Sequence, residues 1–199
     1  MKTAFSRCFS SSRHIYIDMP GFGKSPNETI LTTHDYAAIL ELFFDAAGIN
    51  KEIIFGHSFG GKVATLLKPQ HLVLLSSAGI LAPKALKVRI KIKFFNALRK
   101  MGLGGFWRLF ATKDASGMSR VMYETLKNVV DEDFSSLFAS FNGKCDIFWG
   151  RSDTATPLFC GERLASLIQG SSWHPMEGDH YFFLRQGVMI EILMNKGCA

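Results

Sequence analysis

Short β-rich runs alternate with helical patterns along most of the chain, and this alternation constrains the fold more than any other feature. Strands that are joined by helices run parallel and carry helices on both faces of the sheet. The sequence therefore predicts a three-layer α/β/α fold with a mostly parallel sheet of about five strands. We expect strands at residues 14–18, 52–55, 71–75, 146–149 and 172–176, and helices at residues 36–47, 60–68, 160–168 and 182–196.

Particular residues mark the ends of some of these elements. Thr32, with Asp35 three residues later, resembles a capping box and predicts the start of the first long helix. Gly48 predicts the end of that helix. Pro175 lies inside the last strand pattern and cannot donate a ladder hydrogen bond, so we expect this strand at an edge of the sheet.

Length and composition limit the class of protein. A chain of 199 residues corresponds to one domain, and 47% hydrophobic residues with 20% charged residues exclude a disordered chain, a collagen and a disulfide-stapled miniprotein. The longest nearly apolar run, residues 72–83, is shorter than the roughly 20 residues that a membrane-spanning helix needs. We therefore expect no transmembrane helix.

Residues 82–140 interrupt the alternation, because they look helical and contain no clear strand pattern. The net charge of +6 is concentrated in residues 84–100, which carry basic residues and no acidic one. A nucleic-acid binder is more typically basic along a whole face, so no nucleic-acid partner is expected. We interpret the basic stretch as a solvated face, with contact to an anionic membrane surface as the alternative.

The cysteines and the N-terminus bear on the cellular location. No Cys-x-x-Cys spacing joins Cys8, Cys145, Cys160 and Cys198, which favours reduced thiols and a cytoplasmic protein. The first 17 residues are basic and serine-rich without an acid, as in an organelle transit peptide. They run directly into a predicted strand, however, so we favour the cytoplasmic location.

Residues 56–60 read Gly-His-Ser-Phe-Gly and match the pattern Gly-x-Ser-x-Gly. The match follows a predicted strand and opens a predicted helix, which is the setting of a nucleophile elbow. There Ser58 must lie on a sharp, strained turn that raises its hydroxyl above the sheet edge. We expect side chains at Gly56 and Gly60 to collide at such a turn, and we expect Gly61 to let the helix pack closely.

A serine nucleophile needs a base, and the base needs a carboxylate that orients it. Asp153 and His180 each come just after a predicted strand, so both are expected at the carboxyl edge of the sheet beside Ser58. Asp179 is a competing acid, but it adjoins His180 too closely in sequence to reach across the ring. We interpret His57 as a packed or hydrogen-bonded neighbour of the elbow rather than as a second base.

Several segments resemble the α/β-hydrolase fold family over nearly the whole chain. Residues 18–25 look like its D-x-P-G-x-G-x-S segment, and residues 56–61 look like its G-H-S-x-G-G elbow. Residues 72–80 look like its sixth strand, and residues 149–153 and 178–180 look like its acid and histidine loops.

This resemblance implies roles for the site residues. Ser58 would be the nucleophile, His180 the general base and acid, and Asp153 the carboxylate that orients His180. The backbone N–H of Phe59 would be one oxyanion donor. Residues 82–140 would form a helical cap over a core of residues 1–81 and 141–199, within a single domain of residues 1–199.

The sequence departs from the family at its start. The family has three strands before the strand that residues 14–18 resemble, and a His-Gly loop after the third supplies the second oxyanion N–H. Residues 1–13 contain no His-Gly pair, so we expect those strands and half of the oxyanion hole to be absent. A truncated product, a mis-assigned start or pairing with a partner would each explain this, and a catalytically inactive fragment is the alternative function.

A second motif competes with the elbow. Residues 56–62 also fit G-x-x-x-x-G-K, the start of a phosphate-binding loop. Val63 stands where a Ser or Thr should hold Mg²⁺, and Ser76 and Ser77 end the next strand in place of an Asp, so a nucleoside triphosphatase is disfavoured. His174 and His180 lack metal-ligand spacing, and we expect neither a metal nor a cofactor.

The sequence thus predicts a serine hydrolase of carboxylic esters or related acyl substrates, which acts through an acyl-enzyme. A C–C bond hydrolase or an aminopeptidase of the same fold is the lesser alternative. We expect a small-molecule substrate with an apolar acyl or aromatic group, because aromatic residues are frequent in the expected cap. These are Phe94, Phe95, Phe106, Trp107 and Phe110.

Overall fold

The computed structural model describes residues 1–81 and 119–196, in which helices and strands largely alternate. The basic stretch at residues 84–100, the aromatic residues of the expected cap and Cys198 lie outside the described residues. The elements are α1 (Lys2–Phe5), α2 (Thr33–Ala47), β1 (Ile53–His57), α3 (Phe59–Leu66), β2 (His71–Leu75), α4 (Arg120–Val129), α5 (Ser135–Ala139), β3 (Lys144–Gly150), α6 (Leu158–Leu167), β4 (Ser172–Met176) and α7 (Phe183–Lys196).

Four parallel strands form the sheet in the described part of the chain, in the order β1-β2-β3-β4. All four strands therefore end at the same edge, where the loops after β1, β3 and β4 carry the predicted site residues. β4 lies at one side of the sheet with Pro175 inside it, as predicted from the missing N–H of proline.

Alternating side chains of β2 and β3 cover the two faces of the sheet. Leu72, Leu74 and Ile147 pack on one face against α3, α5 and α6. Val73 and Phe148 point to the other face, where α1 and α7 pack. Both faces of these strands are covered, which explains their nearly continuous apolar sequence. This arrangement confirms the predicted three-layer α/β/α fold.

The local signals for α2 are confirmed. The Thr32 side chain accepts a hydrogen bond from the Asp35 N–H, and the Asp35 carboxylate accepts one from the Thr32 N–H. Gly48 ends the helix in the left-handed conformation, with φ of 60°. The helix begins at Thr33, earlier than the apolar periodicity alone indicated.

The prediction of a strand at residues 14–18 is wrong. This segment lies outside the sheet, and its side chains Ile15, Tyr16 and Ile17 are exposed. β1 forms the side of the sheet opposite β4, and it pairs only with β2 within the described ranges. Residues of high β propensity become a strand only when a neighbouring strand satisfies their backbone groups, and this segment has no such neighbour there. The sheet therefore has four strands in the described ranges instead of about five.

The N-terminal residues pack onto the sheet face that α7 covers. Phe5 is buried against Phe55 of β1, with ring centroids 5.2 Å apart, and it stacks on Phe183. The Phe9 N–H donates to the Glu191 carboxylate of α7 over 2.6 Å. The first residues are thus part of the packed domain.

Two further observations concern the described residues alone. None of their helices is both long enough and apolar enough to cross a membrane. Cys8, Cys145 and Cys160 are free thiols and buried.

Candidate active site

Ser58 lies on the turn between β1 and α3 with a positive φ of 52°. Such a conformation is strained for a residue with a side chain and persists only when the surroundings fix it. Here the Ser58 N–H donates to the Leu75 carbonyl over 3.2 Å, and the Ser58 carbonyl accepts from the Ala78 N–H over 3.0 Å. The end of β2 thus holds the turn in place.

The glycines around Ser58 have different roles. A Cβ at Gly56 would lie 2.6 Å from the Gly60 carbonyl oxygen and 2.6 Å from the Gly61 Cα, and a Cβ at Gly61 would overlap the Ser77 side chain. The predicted crowding is therefore confirmed at Gly56, and so is the close packing at Gly61. It is wrong for Gly60, where a Cβ would meet no described atom within 4 Å. Gly56, the last glycine before Ser58, packs against the backbone of the first turn of α3. The turn therefore excludes a side chain at Gly56 and not at Gly60.

Asp153 follows β3 in a tight turn that holds its carboxylate. The side chain is fully buried, and its Oδ1 accepts the N–H groups of Ala155 and Thr156 over 2.8 and 2.9 Å. The Thr156 hydroxyl donates to Oδ2 over 2.8 Å. Burial alone would raise the pKa of Asp153, but hydrogen bonds from His180, Thr156 and Ser76 outweigh it and lower the pKa. The carboxylate is therefore ionised at neutral pH.

His180 follows β4, and its ring meets Asp153. The distance between Nδ1 of His180 and Oδ2 of Asp153 is 2.7 Å. This contact assigns the ring proton to Nδ1 and leaves Nε2 as the basic nitrogen. The competing acid Asp179 instead accepts the N–H of Tyr181 over 2.9 Å, within its own turn. Asp153 is thus the acid that orients the ring in the structure.

His57 connects the elbow to the histidine loop. Its Nε2 lies 2.9 Å from the His180 carbonyl oxygen and donates to it, and the two rings are 4.6 Å apart. Burial, with the nearby His180 ring, lowers the pKa of His57 to about 4. His57 is therefore neutral at neutral pH, which agrees with the interpretation of a hydrogen-bonded neighbour.

Ser58 and the Asp–His pair follow strands that end at the same edge of the sheet. No hydrogen bond joins the Ser58 hydroxyl to the His180 ring within residues 1–81 and 119–196. Catalytic hydrogen bonds are often long in unliganded enzymes and tighten only around the substrate. His57, the neighbour of Ser58 in the chain, is what connects the elbow to the His180 loop.

Phe59 is the first residue of α3. The first N–H groups of an α-helix have no acceptor within the helix, and the helix dipole favours negative charge there. The Phe59 ring is fixed by Tyr36 at 5.1 Å and by Phe22 at 6.1 Å between centroids. The backbone N–H of Phe59 can thus donate to an oxyanion next to Ser58.

A cleft of about 440 Å³ opens at Ser58. Its walls come from the loops after β2 and β3 and from the segment that follows α4, and they are mainly apolar. The described lining residues are Ser58, Ala78, Gly79, Ile80, Leu81, Val130, Asp131, Glu132, Ala155, Thr156, Pro157 and Cys160.

Two contributors to the site were missed by the sequence interpretation. Thr156 fixes the Asp153 carboxylate, and the spacing of Asp153 and Thr156 three residues apart is a turn signal that could have indicated it. Glu132 lines the cleft and binds Lys62 of α3 over 2.8 Å. No local pattern indicates that contact, because the two residues are far apart in the chain.

The family of the chain follows from its sequence pattern. The pattern of the alpha/beta hydrolase family matches residues 5–187. Because this match spans most of the sequence, the chain belongs to the alpha/beta hydrolase family. A comparison with curated protein sequences gives no match.

Solved structures share the fold at low sequence identity. An esterase from Exiguobacterium antarcticum is 19% identical with a TM-score of 0.74, and the similarity covers 98% of this chain and 85% of the esterase. Est816, described as an N-acyl homoserine lactone degrading enzyme, is 18% identical with a TM-score of 0.71, over 98% of this chain and 87% of that one. An alpha/beta fold family hydrolase from Bacillus anthracis is 17% identical with a TM-score of 0.63, over 89% and 79%.

Proposed function

We propose that this chain is a serine hydrolase of carboxylic esters or related acyl substrates. Ser58 is the nucleophile, His180 the general base and acid, Asp153 the orienting carboxylate, and the Phe59 N–H an oxyanion donor. One observation carries the proposal. Ser58 lies on a strained turn and lines a cleft, and its neighbour His57 is hydrogen-bonded to the loop of His180, whose imidazole a buried carboxylate holds over 2.7 Å.

The reaction proceeds in two steps through an acyl-enzyme. As the Ser58 Oγ attacks the carbonyl carbon, Nε2 of His180 takes the hydroxyl proton, and the negative oxygen accepts the Phe59 N–H. His180 then gives this proton to the departing alkoxide, so that an alcohol leaves. Water attacks the acyl-enzyme in the same way, which releases the carboxylic acid and returns the proton to Ser58.

The electrostatics of the site support these roles. The Asp153 carboxylate is ionised at neutral pH, because hydrogen bonds outweigh its burial and lower its pKa. It therefore stabilises the imidazolium that forms on His180. His57 stays neutral and adds no second positive charge beside His180, because its pKa is about 4.

The cleft supports an apolar acyl group. Ile80, Leu81 and Val130 supply apolar wall surface near Ser58. Esters and lactones fit the proposed chemistry, and an esterase and a lactone-degrading enzyme are among the structures of the same fold. We also propose a cytoplasmic location, which the free, buried cysteines of the described residues support.

Intact-mass analysis after exposure to a fluorophosphonate tests the nucleophile. We expect one adduct per molecule on the wild type and none on Ser58→Ala. Ser152→Ala is the matched control, because Ser152 is exposed and lies in the Asp153 loop, and it should be labelled like the wild type. A folded wild-type chain without an adduct would contradict the proposal and favour the inactive fragment.

Hydrolysis of p-nitrophenyl esters of increasing acyl length tests the substrate class. We expect the wild type to release p-nitrophenol with a preference for apolar acyl chains, and Ser58→Ala to be inactive. A chain that forms the fluorophosphonate adduct but hydrolyses no ester would instead favour a C–C bond hydrolase or an aminopeptidase.

A further inference from the structure

We propose that the ion pair between the buried Lys62 and the half-buried Glu132 is a positioning pair. It fixes one wall of the Ser58 cleft to the elbow helix and thereby sets substrate binding. The wall is the segment of residues 129–132, of which Val130, Asp131 and Glu132 line the cleft. The inference rests on the proposed function for its effect on substrate. The anchoring itself rests on the contacts alone.

Lys62 is only 1% exposed although it carries a cation. Its Nζ donates to Oε2 of Glu132 over 2.8 Å and to the carbonyl oxygen of Val129. The same nitrogen lies 5.4 Å from the Phe59 ring centroid and 5.2 Å from that of Phe134. A single side chain thus joins the elbow helix to both ends of the wall segment.

Glu132 is held from a second side. The buried Thr33 at the start of α2 donates its hydroxyl to the same Oε2. A further link lies nearby, where the Leu31 N–H donates to the Thr125 hydroxyl of α4 over 3.2 Å. The wall is therefore anchored to α2 as well as to α3.

Burial of a lysine is not explained by stability. Removal of a charge from water is energetically costly, and a buried ion pair is often no more stabilising than apolar residues of the same size. Burial lowers the pKa of Lys62, and the hydrogen bond from Lys62 to Glu132 only partly offsets this. Directional contacts to the cleft wall are what the pair provides and apolar residues would not.

The position of the Lys62–Glu132 pair explains why its loss should affect substrate binding more than the chemical step. Lys62 lies one helical turn after Phe59, which is the neighbour of Ser58. Asp153 and His180 are held by separate loops after β3 and β4 and make no contact with the pair in the described hydrogen bonds. A shift of the wall should therefore change the shape of the cleft while the Asp–His pair stays in place.

Steady-state kinetics on Lys62→Met and Glu132→Gln test the proposal. Glu132→Gln keeps the size of the side chain, so it remains informative if Lys62→Met does not fold. We expect KM for apolar p-nitrophenyl esters to rise roughly tenfold and the preference for acyl length to weaken, with kcat changed less than about threefold. Lys51→Met is the matched control, because it removes the ion pair of Lys51 with Glu41, 2.6 Å long and away from the cleft.

Hydrogen exchange separates this inference from the proposed function. In Lys62→Met and Glu132→Gln, peptides that cover residues 119–134 should exchange faster, whereas peptides from β3 and β4 should not. Unchanged exchange there, or unchanged KM and acyl preference in folded variants, would overturn the positioning role. A fall in kcat at constant KM would overturn it too. Failure of fluorophosphonate labelling in the wild type would contradict the proposed hydrolase function alone. The hydrogen-exchange result would still test whether Lys62 and Glu132 anchor the wall.

Discussion

Two clusters of a carboxylate and an imidazole lie in the described part of the sheet and its loops. They contain the same chemical groups, but one lies in the loops at the edge of the sheet and the other within the strands. Asp153 bonds His180 over 2.7 Å in the loops beyond the carboxyl ends of β3 and β4. Asp146 lies within β3 itself and bonds His71 of β2 over 2.7 Å and His174 of β4 over 2.9 Å. Both carboxylates are buried.

The surroundings of the two clusters separate them. Asp146 sits in regular strand backbone, and its partner His174 stacks on Phe148 with 4.4 Å between centroids. Asp153 sits in a turn whose residues Ala155 and Thr156 line the same cleft as Ser58, a serine with positive φ. A bonded Asp and His are therefore not a catalytic site by themselves. In the proposed function, position at the loop edge, on the same side of the sheet as Ser58, makes the difference.

The same physics gives the two clusters different consequences. Burial alone would raise the pKa of Asp146, but hydrogen bonds from His174 and His71 outweigh it and lower the pKa to about 2. Asp146 bonds three strands together and should mainly affect stability. In the proposed mechanism Asp153 orients a ring that accepts a proton, so its replacement should mainly affect activity.

The largest expected effect is on activity. Asp153→Asn should lower kcat for a p-nitrophenyl ester by roughly 10⁴-fold, because the amide no longer favours the tautomer of His180 with a free Nε2. Asp146→Asn should change kcat per folded molecule by less than about threefold. Steady-state kinetics on both variants, with folded protein quantified by circular dichroism, make the measurement. Equal losses in the two variants would remove the distinction between the clusters.

Only one of the two clusters could be predicted from the sequence. The spacing and strand context of Ser58, Asp153 and His180 predicted one edge of the sheet, because parallel strands end together. The bounds of β2 and β4 were also predicted, from β-rich runs at residues 71–75 and 172–176. Such signals are local in the chain and need no knowledge of packing.

The remainder depends on contacts between distant segments. The bonds of Asp146 to His71 and His174 and the pair of Lys62 with Glu132 appear only when the elements are assembled. Residues 14–18 show the converse, because their strand propensity has no partner strand among the described residues. High β propensity favours a strand, but the strand forms only where a neighbouring strand pairs with it.

The next effect concerns the backbone at the turn between β1 and α3. Gly56→Ala should destabilise the chain by about 1–3 kcal/mol or more, because the new Cβ would overlap the backbone of α3. Gly60→Ala is the matched control and should leave the free energy of unfolding unchanged or raise it by up to about 1 kcal/mol, since alanine favours a helix. Urea denaturation measures both. A destabilised Gly60→Ala would show that crowding extends into α3.

Acid should affect the Asp146 cluster next. Because the pKa of Asp146 is lowered to about 2, its contribution to stability is present above its ordinary pKa near 4 and is lost as the pH falls towards 2. The unfolding free energy of the wild type should exceed that of Asp146→Asn by about 2 kcal/mol near neutral pH, and this difference should shrink below about pH 4. Asp45→Asn, at an exposed helix position, is the control and should show no such difference. A constant difference down to about pH 2 would contradict the pKa.

The smallest effect concerns His57, which contacts the His180 loop and has no proton-transfer role in the proposed mechanism. Loss of its hydrogen bond to the His180 carbonyl should cost about 1 kcal/mol, so His57→Asn should lower kcat/KM by roughly fivefold. Because the pKa of His57 is about 4, its ring should stay neutral above about pH 5. In an NMR titration of the wild type, one histidine resonance should therefore keep a constant chemical shift above that pH, and this resonance should be missing in the variant. The exposed His34→Asn variant should keep that resonance and full activity. If His57→Asn moved the acidic limb of the pH–rate profile, His57 would be the titrating base, and the assignment of the proton to His180 would be wrong.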